Sequence, residues 1–329
     1  MNHADDANNS RPPLTRLEKA ALGQAGGLLV FASWAFDGNV GWARTLISWW
    51  GLAAALITLG AAFRGSGQRI LRWLWPLLAF DLLVLASCLN PSFSTHMLDG
   101  ESLVVQNGGL SWLPGSAEPA ASLRAIWLFN SVFLSGLNLA LCVRQRRPLR
   151  WLLVAATVNA LALSIFGTVQ KLTGAGLFFG LRKSPNEFFF STFIYHNHWG
   201  AFAVLSVATC AGLFFHYTSR HRARDFWHSP AFAGAISLLF IAATAPLSES
   251  RSGTLLILLL AGVMLLHTLR HWCKKSQTPV TSFAWRLGGA LAAVFVLAVA
   301  IYKLDEHGFK IRAELTRQQI GEMQAKGNL

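Results

Sequence analysis

Ser252-Gly253-Thr254-Leu255-Leu256-Ile257-Leu258-Leu259-Leu260-Ala261-Gly262-Val263-Met264-Leu265-Leu266-His267-Thr268-Leu269 runs eighteen residues without an aspartate, glutamate, lysine or arginine. A segment of that length and polarity is what a bilayer's hydrocarbon core accepts as a helix. Similar runs recur along the chain, at about 20–36, 42–63, 73–89, 124–143, 151–172, 192–215, 231–247 and 284–303. Nine spans of roughly 20 residues need about 180 apolar residues. The 329-residue chain is 53% hydrophobic and only 13% charged, with a mean hydropathy of +0.42, and so supplies them. A single-pass anchor on a soluble body is excluded, and an all-α membrane protein of about nine transmembrane helices is predicted.

The net charge of +13 suggests nucleic acid only until it is sorted by side. With the N-terminus in the cytoplasm, 17 basic and 4 acidic residues fall on the cytoplasmic face, among them Arg64, Arg69, Arg72, Arg144, Arg146, Arg147 and Arg150. The opposite face carries 11 basic and 10 acidic residues. This is the positive-inside pattern. The excess charge therefore reports topology and attraction to anionic lipid, and no nucleic-acid partner is expected. Trp42, Trp73, Trp127, Trp151, Trp227, Trp272 and Trp285 lie near expected span ends, where aromatic rings favour the interface. Cys88, Cys142, Cys210 and Cys273 are too scattered for a disulfide framework or zinc site and read as small buried hydrophobes.

This divides the chain into a cytoplasmic tail (1–19), a polytopic membrane domain (20–303) and an extracytoplasmic tail (304–329). The first span reads as retained rather than cleaved, because its tail is acidic as well as basic and no small-residue cleavage site follows. Within it, Gly23-xxx-Gly27 suits close helix packing. Two outer loops stand apart: 90–123, rich in Pro, Gly and Ser, and 173–191, which is aromatic and carries Arg182 and Lys183.

Polar residues at the outer ends of spans carry the chemistry, since desolvating them is costly. Arg251 sits in the turn Ser248-Glu249-Ser250-Arg251-Ser252-Gly253. It is either a helix-end arginine reaching the interface or neutralised by Glu249, or a planar fork for a phosphate or pyrophosphate. Arg182 offers a second fork. Ser191-Thr192-Phe193-Ile194-Tyr195-His196-Asn197-His198-Trp199-Gly200 is a polar cluster opening an apolar helix. His196 and His198, two apart, point to different helix faces, so capping and hydrogen bonding suit them better than a shared metal. Asp81, mid-span, is either a proton or ion site or paired with a polar group on a neighbouring helix. The chain contains no HExxH, GxSxG or P-loop, which argues against a zinc protease, a serine hydrolase and an ATP-driven pump.

Taken in order, these stretches resemble the O-antigen ligase and O-antigen polymerase family of bacterial inner-membrane glycosyltransferases. Ser191-Thr192-Phe193-Ile194-Tyr195-His196-Asn197-His198-Trp199-Gly200-Ala201 is similar to the family's Gly-Thr-Phe-x-Asn-x-Asn-His-type helix start. Ser250-Arg251-Ser252-Gly253 is similar to its Ser-Arg-Ser/Gly-Gly span start, and Trp112-Leu113-Pro114-Gly115-Ser116-Ala117-Glu118-Pro119-Ala120 to a loop before one of its spans. The resemblance covers about residues 70–270. Two departures lie inside it: one Asn stands where the pattern has two, and Ser191 replaces a Gly.

The resemblance implies a C-type glycosyltransferase fold in the bacterial inner membrane. It also implies transfer of a glycan from a polyprenyl-pyrophosphate donor to lipid A core or another glycan on the periplasmic face. Arg182 and Arg251 are the residues to which it gives the pyrophosphate, with no cofactor and no metal. Family members continue through a large periplasmic loop with a His-x-His-Asn-like site and further spans. His307, in Asp305-Glu306-His307-Gly308, does not match that site. Glu249, His196 and His198 are left as general-base candidates, and the chain is expected to be either a truncated or split member or one whose remaining half another chain supplies. From other classes come an anion transporter coupled through Asp81 and a non-catalytic membrane subunit.

Overall fold

The computed structural model describes residues 13–98, 101–173, 177–178, 182–183, 188–218 and 228–274. Eight helices lie among them: α1 (Arg16–Trp34), α2 (Gly41–Ala61), α3 (Gly67–Cys88), α4 (Pro119–Cys142), α5 (Arg146–Leu172), α6 (His196–Thr218), α7 (Pro230–Leu247) and α8 (Arg251–Lys274). Two small hairpins interrupt them, β1 (Phe93–Leu98) with β2 (Glu101–Gln106) and β3 (Leu177–Phe178) with β4 (Arg182–Lys183). A 3-10 turn, Phe36–Gly38, joins α1 to α2, and a π turn, Ala62–Ser66, joins α2 to α3.

Six helices are long and apolar enough to cross a membrane: Gly41–Arg64, Pro119–Cys142, Arg146–Leu172, His196–Thr218, Pro230–Leu247 and Arg251–Thr268. At about 1.5 Å per residue their 18 to 27 residues match a hydrocarbon core of roughly 30 Å. The chain is thus a helical membrane protein, with six such helices among the described residues, which hold eight of the nine expected spans. Spans 20–36 and 73–89 do form helices, but α1 carries Glu18, Lys19 and Gln24, and α3 carries Arg69, Arg72, Pro76 and Asp81. The ninth expected span, 284–303, and the tail 304–329 lie outside the described residues, as do residues 1–12 and most of loop 173–191. Trp49, Leu56, Leu82, Leu205, Leu255 and Leu259 are each about two-thirds exposed, a surface suited to lipid rather than to water.

The described chain forms two compact units, one of residues up to Ala32 together with Gly38–Leu152, the other of Ser33–Asp37 together with the chain from Leu153. In the first, α4 packs on α2 and α3. A Cβ on Gly51 would overlap Ser131, so α2 and α4 approach backbone to side chain without a cushion. Polar side chains tie this unit where water is absent. Gln24 Nε2 donates to Ser135 Oγ at 2.8 Å, and Thr58 Oγ1 donates to Asn138 Oδ1 at 2.8 Å while Asn138 Nδ2 donates to the Ala54 carbonyl at 2.8 Å. Of the expected packing pair, Gly27 meets the Trp50 ring, where a Cβ would lie 2.8 Å from Cζ2, whereas Gly23 faces open space. Asp81 Oδ2 accepts a hydrogen bond from Asn130 Nδ2 at 2.9 Å, so the mid-span carboxylate does have a polar partner on a neighbouring helix.

Loop 90–123 proves to be largely ordered backbone. Phe93 pairs with Gln106 and Leu98 with Glu101 in an antiparallel hairpin, and Asn90 Nδ2 closes its base by donating to the Leu110 and Leu113 carbonyls, both at 3.0 Å. α4 starts at Pro119, five residues before the expected 124, because proline fits the first helical turn, where no N–H is needed.

In the second unit α6 packs on α7 and α8. Its core is aromatic: Trp199 is fully buried between Phe190, 4.8 Å away between ring centres, and Phe193, 5.3 Å away and edge-on. The indole N–H of Trp199 is satisfied by Thr244 Oγ1 at 3.2 Å.

Candidate functional site

The stretch before α6 does not run along the surface. Phe190, Ser191, Thr192, Phe193 and Ile194 are all buried, and Phe190 and Phe193 exchange backbone hydrogen bonds of 3.2 and 3.0 Å across a tight turn. Ser191 sits at φ +55°, and its hydroxyl donates to the Leu163 carbonyl at 2.9 Å. Leu163 lies nine residues before the end of α5, a depth of about 13 Å along that helix. Thr192 Oγ1 donates to the Ser33 carbonyl, one residue before the end of α1, at 2.6 Å. Gly167 on α5 makes room for the segment, since a Cβ there would lie 2.8 Å from Ser191 Cβ. Non-helical backbone at membrane depth persists only where protein buries it and satisfies its polar groups, as happens here.

This descent sets where α6 begins, and α8 begins beside it. A Cβ on Gly253 would sit 2.7 Å from Gly200 Cα, so the two helices touch backbone to backbone within a turn of their starts. Ser250, fully buried, caps α8: its Oγ accepts from Gly253 N–H at 3.3 Å, and its hydroxyl donates to Asn197 Oδ1 on α6 at 3.4 Å. Each helix start presents N–H groups with no intrahelical partner and the positive end of its dipole. Two such ends side by side favour an anion.

Arg251 is the first residue of α8 and is exposed at that junction. Glu249 precedes it at φ +63°, a conformation that ends α7 with Ser250 N–H donating to the Ala245 carbonyl at 3.3 Å. Its Oε1 accepts from Lys171 Nζ at 3.0 Å, which pins the α7–α8 turn to the end of α5. Arg182 is on β4, its backbone opposite Phe178 in the α5–α6 connection. Arg182 thus lies in the α5–α6 connection and Arg251 at the start of α8.

None of the known family models, curated proteins or solved structures compared matches the chain.

The two histidines part company. His196, half-buried, packs its ring edge-on against Phe188 at 5.9 Å between centres. His198, exposed, bonds through Nδ1 to Asp37 Oδ2 in the turn after α1. Burial pushes the Asp37 carboxyl above its ordinary range, and the hydrogen bond and charge of His198 offset this only in part. Among the described residues no cluster of three or more His, Cys, Asp or Glu could hold a metal ion. Asp81 belongs to the first unit and takes no part in this cluster's contacts.

Sequence reasoning passed over Lys171 and Asp37 here and read Asn197 only as part of the helix-start motif. Lys171 gave no sign of its partner. Asp37 did leave one: Asp-Gly after an apolar run marks a turn, and a lone carboxylate at a span end is expensive unless partnered.

Proposed function

We propose that the protein transfers a glycan from a polyprenyl-pyrophosphate donor to lipid A core or another glycan acceptor, on the periplasmic face of the bacterial inner membrane. The observation that carries this reading is the junction of two helix N-termini under Arg251, inside a helical membrane body. As the glycosidic bond breaks, the pyrophosphate takes up negative charge. Fixed N–H groups, two positive helix ends and a guanidinium stabilise that charge without reorganising. Arg182, on the neighbouring connection, is the second fork of the clamp. The arrangement belongs with a C-type glycosyltransferase body of about nine spans with a cytoplasmic N-terminus.

The test uses purified protein, a polyprenyl-diphosphate oligosaccharide and an oligosaccharide acceptor. Arg251→Ala is expected to lower transfer by about 10²-fold or more, the usual effect of removing one charge-stabilising donor. Arg251→Lys is expected to be nearly as damaging, because an ammonium cannot make the bidentate grip. Full turnover by Arg251→Lys removes the clamp and with it the reading.

One observation favours a second reading. A buried non-helical segment leading into a helix that starts at depth is also how carriers bind anions near the bilayer midplane. Uptake of an organic diphosphate into vesicles, with no glycan product, would put an anion carrier in place of the transferase.

A further inference from the structure

Phe36, Asp37 and Gly38 follow one another at φ +55°, +59° and +63°, three left-handed residues in a row, of which only the glycine adopts that conformation freely. Such strain is retained where the surrounding structure holds a side chain in a required place. What the turn presents is the Asp37 carboxylate, three-quarters buried, against Nδ1 of His198. The imidazole is half exposed, with the Tyr195 ring 5.3 Å away between centres. With Nδ1–H donated to the carboxylate, the lone pair on Nε2 is free to accept a proton. His198 directly follows Asn197, which bonds Ser250 at the start of α8.

We infer that Asp37 and His198 form a carboxylate–imidazole dyad in which His198 Nε2 is the general base and Asp37 the positioning residue that fixes its tautomer. This rests on the glycan-transfer reading above. In the step, the acceptor hydroxyl oxygen bonds to the anomeric carbon of the donor, and the bond from that carbon to the pyrophosphate oxygen breaks. The electron pair leaves on the pyrophosphate, and the hydroxyl proton passes to Nε2. The resulting imidazolium is stabilised by Asp37 and returns its proton to water through its exposed edge. His196, packed on Phe188, and Glu249, bound to Lys171, are then structural.

The test is carried out on full-length protein in detergent with ¹⁵N-labelled histidine, the His198 signals being identified by their loss in His198→Gln. In its neutral form the His198 ring is expected to show a protonated Nδ1 and a bare Nε2. Asp37→Asn, which tolerates a left-handed backbone, should disturb that signature and lower kcat by about 10²-fold while leaving the donor KM unchanged. A wild-type ring protonated at Nε2, or Asp37→Asn at the wild-type kcat, overturns the dyad. Binding of farnesyl diphosphate tests the clamp separately. If wild type binds no diphosphate and transfers no glycan, the transferase reading fails, whatever the tautomer.

Discussion

At the scale of single residues, Asp37 and Glu249 both bring a carboxylate to the end of a helix on a left-handed backbone, and they differ in how deeply the group is buried. Glu249 and Lys171 are each about a third exposed, so their bond contributes no more than a surface ion pair, about 0 to 1 kcal/mol. Burial raises the Asp37 carboxyl above its ordinary value, so the folded state binds a proton more tightly there than the unfolded chain does. The stabilisation from that proton is complete at pH below the ordinary carboxylate range and is lost as pH rises through the raised folded value. Asp37→Asn should therefore equal wild type in denaturant resistance under acid conditions and exceed it at neutral pH. Urea unfolding in mild detergent at the two pH values checks this. A variant more stable and less active is the mark of a residue kept for chemistry. Arg251, Glu249, His196 and His198 were legible from their polarity at span ends. The pairing of His198 with Asp37 was not, because 161 residues separate them and only the fold brings them together.

At the scale of elements, the helices declared themselves by long apolar runs, but their ends less well: α4 starts at Pro119, five residues before the expected 124. Less legible was what runs between them. Residues 188–194 are as apolar as a span, yet they fold into a tight turn because Ser191 and Thr192 find carbonyl partners on α5 and at the end of α1. The sequence pattern cannot distinguish that from a helix that simply begins earlier, and the expected start at 192 instead of His196 records the ambiguity. The Gly200–Gly253 crossing leads to a further prediction. Gly253→Ala would drive a methyl group into the α6 backbone, which cannot swing aside as a side chain can. The overpacking is expected to cost about 1 to 3 kcal/mol, read as a lower midpoint of unfolding. Gly262→Ala, on the same helix with open space around it, serves as the control.

For the whole molecule, the positive-inside pattern of the charges predicts an orientation that labelling can test. A cysteine placed at Val104, in the β1–β2 hairpin, should react with a membrane-impermeant maleimide on intact cells in a background lacking the native cysteines. One placed at Gln145, between α4 and α5, should react only after the membrane is opened. The reverse pattern would turn the chain over and carry Arg251 to the cytoplasm. The membrane character was plain from composition. The number of spans was not, since α1 and α3 carry enough charge, amide and proline to fall short of the six clear spans while still folding as helices. Where α6 crosses α8 there is no compressible padding, so the separation of their starts behaves as a stiff ruler that rotamer changes cannot reset. On the anion-clamp reading proposed above, such a ruler selects an anion by its reach as well as its charge: one long enough to span both helix starts engages the whole of the field, and a shorter one only half.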